Sequence, residues 1–136
     1  MHRVAIPFAD FENGARAVDS LVRAPRDAQL EVELVAMADP LRPGKVAVFV
    51  SSETAQAQVR AAAQQWLAQL GAKLEAASIP HRAHIAVGPV TATLRGLAHR
   101  RDLARIVLAH PREAWWRTWL RHVALRGAAP AVTVVP

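Results

Sequence analysis

The chain has 136 residues and a mass of 14.8 kDa, and 52% of its residues are hydrophobic against 21% that are charged. This composition can bury a core, so we expect one ordered domain over residues 1–136. The absence of cysteine excludes disulfides, thiolate metal sites and a cysteine nucleophile. No apolar run reaches the roughly 20 residues of a membrane-spanning helix, and residues 1–7 lack the apolar core of a signal peptide. The expected location is therefore cytoplasmic.

The net charge of +6 is unevenly placed along the chain. Residues 1–68 carry seven basic and eight acidic side chains, whereas residues 69–136 carry ten basic and three acidic ones. A basic half can attract nucleic acid or an acidic membrane surface. The arginines are scattered, however, and no base-stacking aromatic motif accompanies them. We expect them to solvate helix faces, and we expect no specific nucleic-acid partner.

Five short apolar runs are typical of strands, and the nearly continuous run Leu103–Ala109 suits a strand that is covered on both faces. The predicted strands are Arg3–Phe8, Leu30–Ala38, His81–Val87, Leu103–Ala109 and Ala131–Val135. A further run, Lys45–Val50, indicates extended chain or a short extra strand within a connection.

Helical patterns alternate with these strands, and each has a start or stop signal. The predicted helices run from a cap at Asn13 to Pro25, from Ser51 or Ser52 to Gly71, from Gly88–Pro89 over Val90–Ala98, and over Glu113–Arg126. Trp66 lies within the apolar stripe of the second helix, so we expect it to be a core residue.

The alternation of strands and helices predicts an α/β fold, an open five-stranded parallel sheet with helices on both faces. We expect the strand order 3-2-1-4-5. Ligands of such sheets bind beyond the carboxyl ends of the strands, where the strand order reverses. The loops at that point are residues 9–13 and 110–113.

Four segments then carry a family resemblance. They are Val4–Asn13, Ala86–Val90, Ile106–His110 and Ala129–Val135. In order, they look like the first strand with its Asp-x-Ser-x-x-Ser loop, the third-strand exit, an Ile-Val-Met-Gly-Ser segment and a closing Cys-Pro-Val-Leu-Val-Val strand. The chain thus resembles the universal stress protein family over nearly its whole length. The resemblance implies a stress-response binding or regulatory module that forms a homodimer, often through its last strand.

Members of this family that bind ATP resemble one another in a Gly-x2-Gly-x9-Gly-Ser/Thr loop after the fourth strand. Glycines in such a loop let backbone N–H groups close on the phosphates. Here Ala109 and Arg112 stand where the first two glycines are expected, and Arg117–Thr118 falls near the third glycine and the Ser/Thr. The loop is also about five residues short by this alignment. The first hypothesis is therefore a module without standard ATP binding and without a cofactor.

The alternative is a nucleotide-binding member, for ATP or AMP, whose arginines contact the phosphates directly. Arg117 and Arg121 are four residues apart, which equally suits a solvated helix face. The candidate nucleotide crevice comprises Pro7, Phe8, Asp10, Ala36, Ala109, Arg112, Arg117 and Thr118.

Enzymatic activity is less expected than binding. Slow nucleotide hydrolysis would place Asp10 and His110 in proton-transfer roles, but nothing supplies a nucleophile or an oxyanion hole. His81 and His84 lie three apart on a strand and point to opposite faces, so we expect no metal site. A receiver-type acidic cluster, a flavin phosphate loop and a Gly-x-Gly-x-x-Gly motif are all absent.

The fourth predicted helix carries three tryptophans, Trp115, Trp116 and Trp119. Trp115 and Trp119 share one face, and Trp116 aligns with Leu120. Either one of these faces presents aromatic surface to a partner protein, a lipid interface or a dimer mate, or all three tryptophans fill gaps in the core.

Overall fold

The structure, a computed structural model, describes residues 2–25, 29–38, 52–109 and 130–135. Strands and helices alternate along the chain. The elements are β1 (His2–Phe8), α1 (Phe11–Arg23), β2 (Leu30–Ala38), α2 (Ser52–Ala76), β3 (His81–Val87), α3 (Val90–Ala98), β4 (Arg105–Ala109) and β5 (Ala131–Val135). The predicted fourth helix, Glu113–Arg126, and the apolar run Lys45–Val50 lie outside the described residues.

All five strands are parallel, in the order β3-β2-β1-β4-β5, which confirms the predicted topology. β1 lies at the centre of the sheet. Its residues Val4, Ala5 and Ile6 are at most 1% exposed, because a central parallel strand is covered on both faces.

Helices cover both faces of the sheet, as predicted. α1 and α2 pack with the alternate β1 residues Val4, Ile6 and Phe8 in one apolar cluster. α3 packs with Ala5 and with Ile106 of β4 in a second cluster on the opposite face. The two layers leave the carboxyl ends of the strands together at one edge.

The start of α1 differs from the prediction. Asp10, not Asn13, is the N-cap, and its Oδ1 accepts a hydrogen bond from the Asn13 backbone N–H at 2.8 Å. The helix therefore begins three residues earlier than expected, because the Asp10 carboxylate satisfies a backbone donor of the first turn.

The end of α2 also differs, since the helix continues through Gly71 to Ala76. Ser78 adopts the left-handed conformation at φ 57°, and the Ile79 N–H donates to the Leu74 carbonyl at 2.9 Å. This closing pattern normally uses glycine after the helix end. Gly71 instead allows close approach to β3, because a Cβ there would lie 2.9 Å from His81 Nε2.

The fourth strand is shorter than expected. β4 begins at Arg105, whereas the apolar run predicted a start at Leu103. Leu103 is nonetheless buried in the cluster on the α3 face. Its apolar character therefore reflects burial just before the strand and not strand pairing.

Ion pairs cross the amino-terminal edge of the sheet on the α3 face. Arg100 hydrogen-bonds to Asp102, with Nε 2.9 Å from Oδ1, and also pairs with the buried Glu33. Arg3 contacts Asp102 at 2.9 Å and Glu31 at 3.6 Å. Together with Arg82, which lies 2.9 Å from Glu31, these residues form what we call the amino-edge network. It joins three strands to the segment before β4.

One close helix contact lies on the other face of the sheet. Gly14 of α1 is buried, and a Cβ at this position would lie 2.9 Å from Leu70 Cδ1 and from the ring of Phe8. The missing side chain therefore lets α1 approach both β1 and α2.

The amino-edge network predicts a pH-dependent stability. The hydrogen bond from Arg100 holds the pKa of Asp102 well below its ordinary value. A carboxyl with a lowered pKa stabilises the fold above its ordinary pKa and loses that effect as the pH falls through the lowered value. Asp102→Asn should therefore lower the urea midpoint at pH 7, and the difference from wild type should narrow below about pH 4.

The matched control for this measurement is Asp19→Asn, which breaks an exposed ion pair with Lys73. We expect it to change stability by no more than about 1 kcal/mol at pH 7. A difference between wild type and Asp102→Asn that stays constant from pH 7 to pH 3 would contradict the role given to Asp102.

Two glycine substitutions should change stability in opposite directions. Gly14→Ala should destabilise the fold by about 1–3 kcal/mol, because the new methyl group must displace Phe8 or Leu70. Gly96→Ala should stabilise it by up to about 1 kcal/mol, because a Cβ there meets nothing within 4 Å and alanine favours the helix. Urea denaturation measures both, and equal midpoints for the two variants would refute the packing assigned to Gly14.

Candidate functional site

A cavity of about 310 Å³ lies at the carboxyl ends of β1 and β2. Ala9, Met37 and Ala38 line it from the strand ends, and Val90 lines it from the start of α3. The Gly88 N–H donates to the Ala38 carbonyl at 2.9 Å, and Gly88 has φ 137°, a conformation that favours glycine. This turn brings the first residue of α3 to the cavity. The volume falls within the range of small-molecule sites.

The amino-terminal half of α2 forms the opposite wall. Gln58, Ala62 and Trp66 are spaced four residues apart, so they follow one another along one helix face. Val59 and Ala63 extend that wall. The small side chain of Ala62, between Gln58 and Trp66, leaves room at the middle of the wall for a flat group.

The chemistry of the cavity is simple. Of the described lining residues, eight are apolar, and Gln58 supplies the one polar side chain. None of the lining residues that the structure describes carries a charge. A wall of this kind suits a planar, mostly apolar group that carries hydrogen-bonding atoms on one edge.

Trp66 joins the cavity to the core. Its ring lies 6.4 Å from that of Phe8, centroid to centroid, at an angle of 54°. The residue is half-buried and packs against the cluster beneath α1 and α2, which agrees with the predicted core role. The same side chain also lines the cavity, which the sequence analysis did not anticipate.

The structure places five of the predicted crevice residues at the expected edge of the sheet. Pro7, Phe8, Ala36 and Ala109 are buried in the carboxyl-terminal halves of β1, β2 and β4. Within the described part of the cavity wall, their neighbours Ala9, Met37 and Ala38 form the surface instead. Ligand contact by the predicted residues stays a prediction.

Asp10, the fifth of these residues, is exposed at the start of α1. Its Oδ1 accepts from the Asn13 backbone N–H, and its Oδ2 accepts from Asn13 Nδ2, each at 2.8 Å. Arg16 in turn donates to Asn13 Oδ1. Both carboxylate oxygens therefore stabilise the first turn of α1.

Several predicted residues lie outside the described residues. They are His110, Arg112, Arg117 and Thr118 of the crevice loop, and Trp115, Trp116 and Trp119 of the predicted fourth helix. The roles suggested for them stay predictions, as does the homodimer. β5 does lie at one edge of the sheet, where the family resemblance places the dimer contact.

Two further observations concern the described ranges 2–25, 29–38, 52–109 and 130–135. They hold no group of three or more side chains that could ligate a metal ion. Their helices include none that is both long and apolar enough to cross a membrane.

Sequence reasoning missed the α2 wall. Gln58 and Ala62 belong to the same helical pattern as the core residues Ala63 and Leu70, so periodicity alone does not separate them. The available signal was position: the first half of α2 follows the carboxyl end of β2, so it lies near the edge where ligands bind.

Comparison with known proteins gives structural likeness alone. No family model and no curated protein matches the sequence. A universal stress protein family structure from Burkholderia pseudomallei is similar, with a TM-score of 0.75 and 15% identity, covering 98% of this chain and 95% of that one.

Two further solved structures of similar fold contain nucleotides. An Arabidopsis thaliana universal stress protein family structure with AMP bound has a TM-score of 0.66 and 13% identity, covering 99% of this chain and 91% of that one. A universal stress protein in complex with cAMP has a TM-score of 0.57 and 17% identity, with coverages of 98% and 95%. The resemblance predicted from the sequence is thus confirmed in three dimensions, and the chain has the fold of the universal stress proteins.

Proposed function

We propose that the chain is a regulatory binding module that takes a small ligand, of adenosine type, in the cavity between the strand ends and α2. The observation that carries this proposal is the apolar cavity itself, which combines Trp66, Ala62 and a lone amide from Gln58. A nucleobase is a flat ring with polar edge atoms, so it matches this wall. Ligand binding would report a stress signal to a partner, and hydrolysis is not required.

The cavity also explains how binding can do without a glycine-rich phosphate loop. The described lining residues contain no cation, so they favour the base and not the phosphates. The AMP and cAMP named for the two structural relatives share adenine as their base. We propose that the base supplies most of the affinity. ATP should therefore bind no more tightly than adenosine or AMP.

A second candidate function is binding of ATP or AMP through an arginine-based phosphate site. It uses the same cavity for the base and adds Arg112, Arg117 and Thr118 for the phosphates. The nucleotides of the two relatives favour it, since both carry phosphate. Arginine pairs well with phosphate oxygens.

We also propose that two copies pair through β5. This strand ends the sheet, so its outer edge can add a strand from a second copy.

Filling the cavity should weaken binding strongly. Ala62→Trp places a large ring in the middle of the wall, so the dissociation constant for adenosine should rise by at least about tenfold. Isothermal titration calorimetry with adenosine measures this directly. Ala68→Trp, on the exposed side of the same helix, is the matched control and should bind as wild type does. Equal affinities for wild type and Ala62→Trp would show that the ligand binds elsewhere.

A series of ligands with increasing phosphate content separates the two candidate functions. If the base dominates, adenosine, AMP and ATP should bind wild type within about threefold of one another, and Arg112→Ala and Arg117→Ala should change none of these affinities. If the arginines hold the phosphates, affinity should rise from adenosine to ATP, and each substitution should weaken ATP alone. Titrations with and without Mg²⁺ distinguish the two outcomes.

A further inference from the structure

The one polar side chain of the described cavity wall has an unusual setting. Gln58 is exposed at the mouth of a cavity whose other described lining residues are apolar. Within the part of the chain that the structure describes, no hydrogen bond engages its carboxamide. The amide is therefore free to bind a ligand.

A carboxamide presents one acceptor oxygen beside an N–H donor pair. Adenine presents the complementary pattern, an amino donor beside a ring-nitrogen acceptor, and glutamine recognises it through two parallel hydrogen bonds. Guanine presents two adjacent acceptors on the corresponding edge, so only the amide N–H can serve it there. A free glutamine that meets the edge carrying N7 therefore favours adenine over guanine.

The helix geometry supports this arrangement. Gln58, Ala62 and Trp66 follow one face of α2 and span about 12 Å along its axis. A purine ring against Ala62 would have Trp66 on one side and the amide on the other. The apolar residues at the strand ends would contact the faces of the ring.

We propose that Gln58 is the specificity-determining residue of the cavity, which selects 6-aminopurines by pairing its carboxamide with the 6-amino group and N7 of the ring. This inference rests on the proposed function. Gln58 determines which base binds, whereas the apolar wall contributes affinity for any flat ring, whatever hydrogen-bonding atoms its edge carries.

The test compares adenosine, guanosine and purine riboside, which lacks the 6-amino group, by isothermal titration calorimetry. Wild type should bind adenosine about tenfold more tightly than either of the other nucleosides. Gln58→Leu should lose this preference: adenosine should weaken about tenfold, and purine riboside should stay within about twofold of wild type. Gln64→Leu, at an exposed position of the same helix outside the described cavity wall, is the matched control and should behave as wild type.

The outcomes separate the two claims. If adenosine binds wild type and Ala62→Trp abolishes that binding, but Gln58→Leu keeps the preference for adenosine, the role of Gln58 is wrong and the proposed function stands. If adenosine does not bind wild type at millimolar concentration, the proposed function fails and the role of Gln58 fails with it. Far-UV circular dichroism of each variant confirms that the helix is intact.

Discussion

The packing of Phe8 against Trp66 beneath Gly14 is the contact on which the candidate site depends. Phe8 ends the central strand, and its ring fits under α1 because Gly14 has no side chain there. Trp66 then packs against Phe8 from α2 and turns part of its surface to the cavity. One core contact therefore fixes the position of α1, of α2 and of the aromatic wall. The affinity for a ligand that packs against Trp66 would therefore depend on how α1 and α2 pack on the sheet.

The side of the sheet where the strands begin and the side where they end have opposite chemistry. At the amino-terminal edge, the amino-edge network closes the α3 face with paired charges, including the buried carboxylates Glu31 and Glu33. Each of these carboxylates pairs with an arginine, so removal of one partner would leave an uncompensated charge and destabilise the fold. At the carboxyl-terminal edge the described wall is apolar and open. This division agrees with the general rule that parallel α/β sheets bind ligands beyond the carboxyl ends of their strands.

Much of the fold could be predicted from the sequence, because apolar runs bounded by turn residues fix the strands. β2, β3 and β5 begin and end where predicted, and the alternation of strands and helices correctly predicts a parallel sheet. The expected strand order is also confirmed, although the alternation alone permits other orders. The residues that mark helix ends were less reliable guides. Asp10 and Asn13 both suit the N-cap of α1, and Gly71 allows close packing within α2 and does not end that helix. The cavity wall was missed for a different reason. Gln58 and Ala62 repeat with the period of the core residues, so periodicity alone does not separate the residues that line the cavity from those that pack in the core.

An amide chemical-shift titration of the ¹⁵N-labelled protein with adenosine is the decisive test of the proposed binding site. We expect chemical-shift changes that saturate together and centre on Ala9, Ala38, Gln58 and Ala62, with the indole N–H of Trp66 among the largest. Amides of the amino-edge network, such as those of Glu31 and Arg82, should move little. Saturating changes confined to other elements, or no changes at millimolar adenosine, would contradict the claim that this cavity is the binding site.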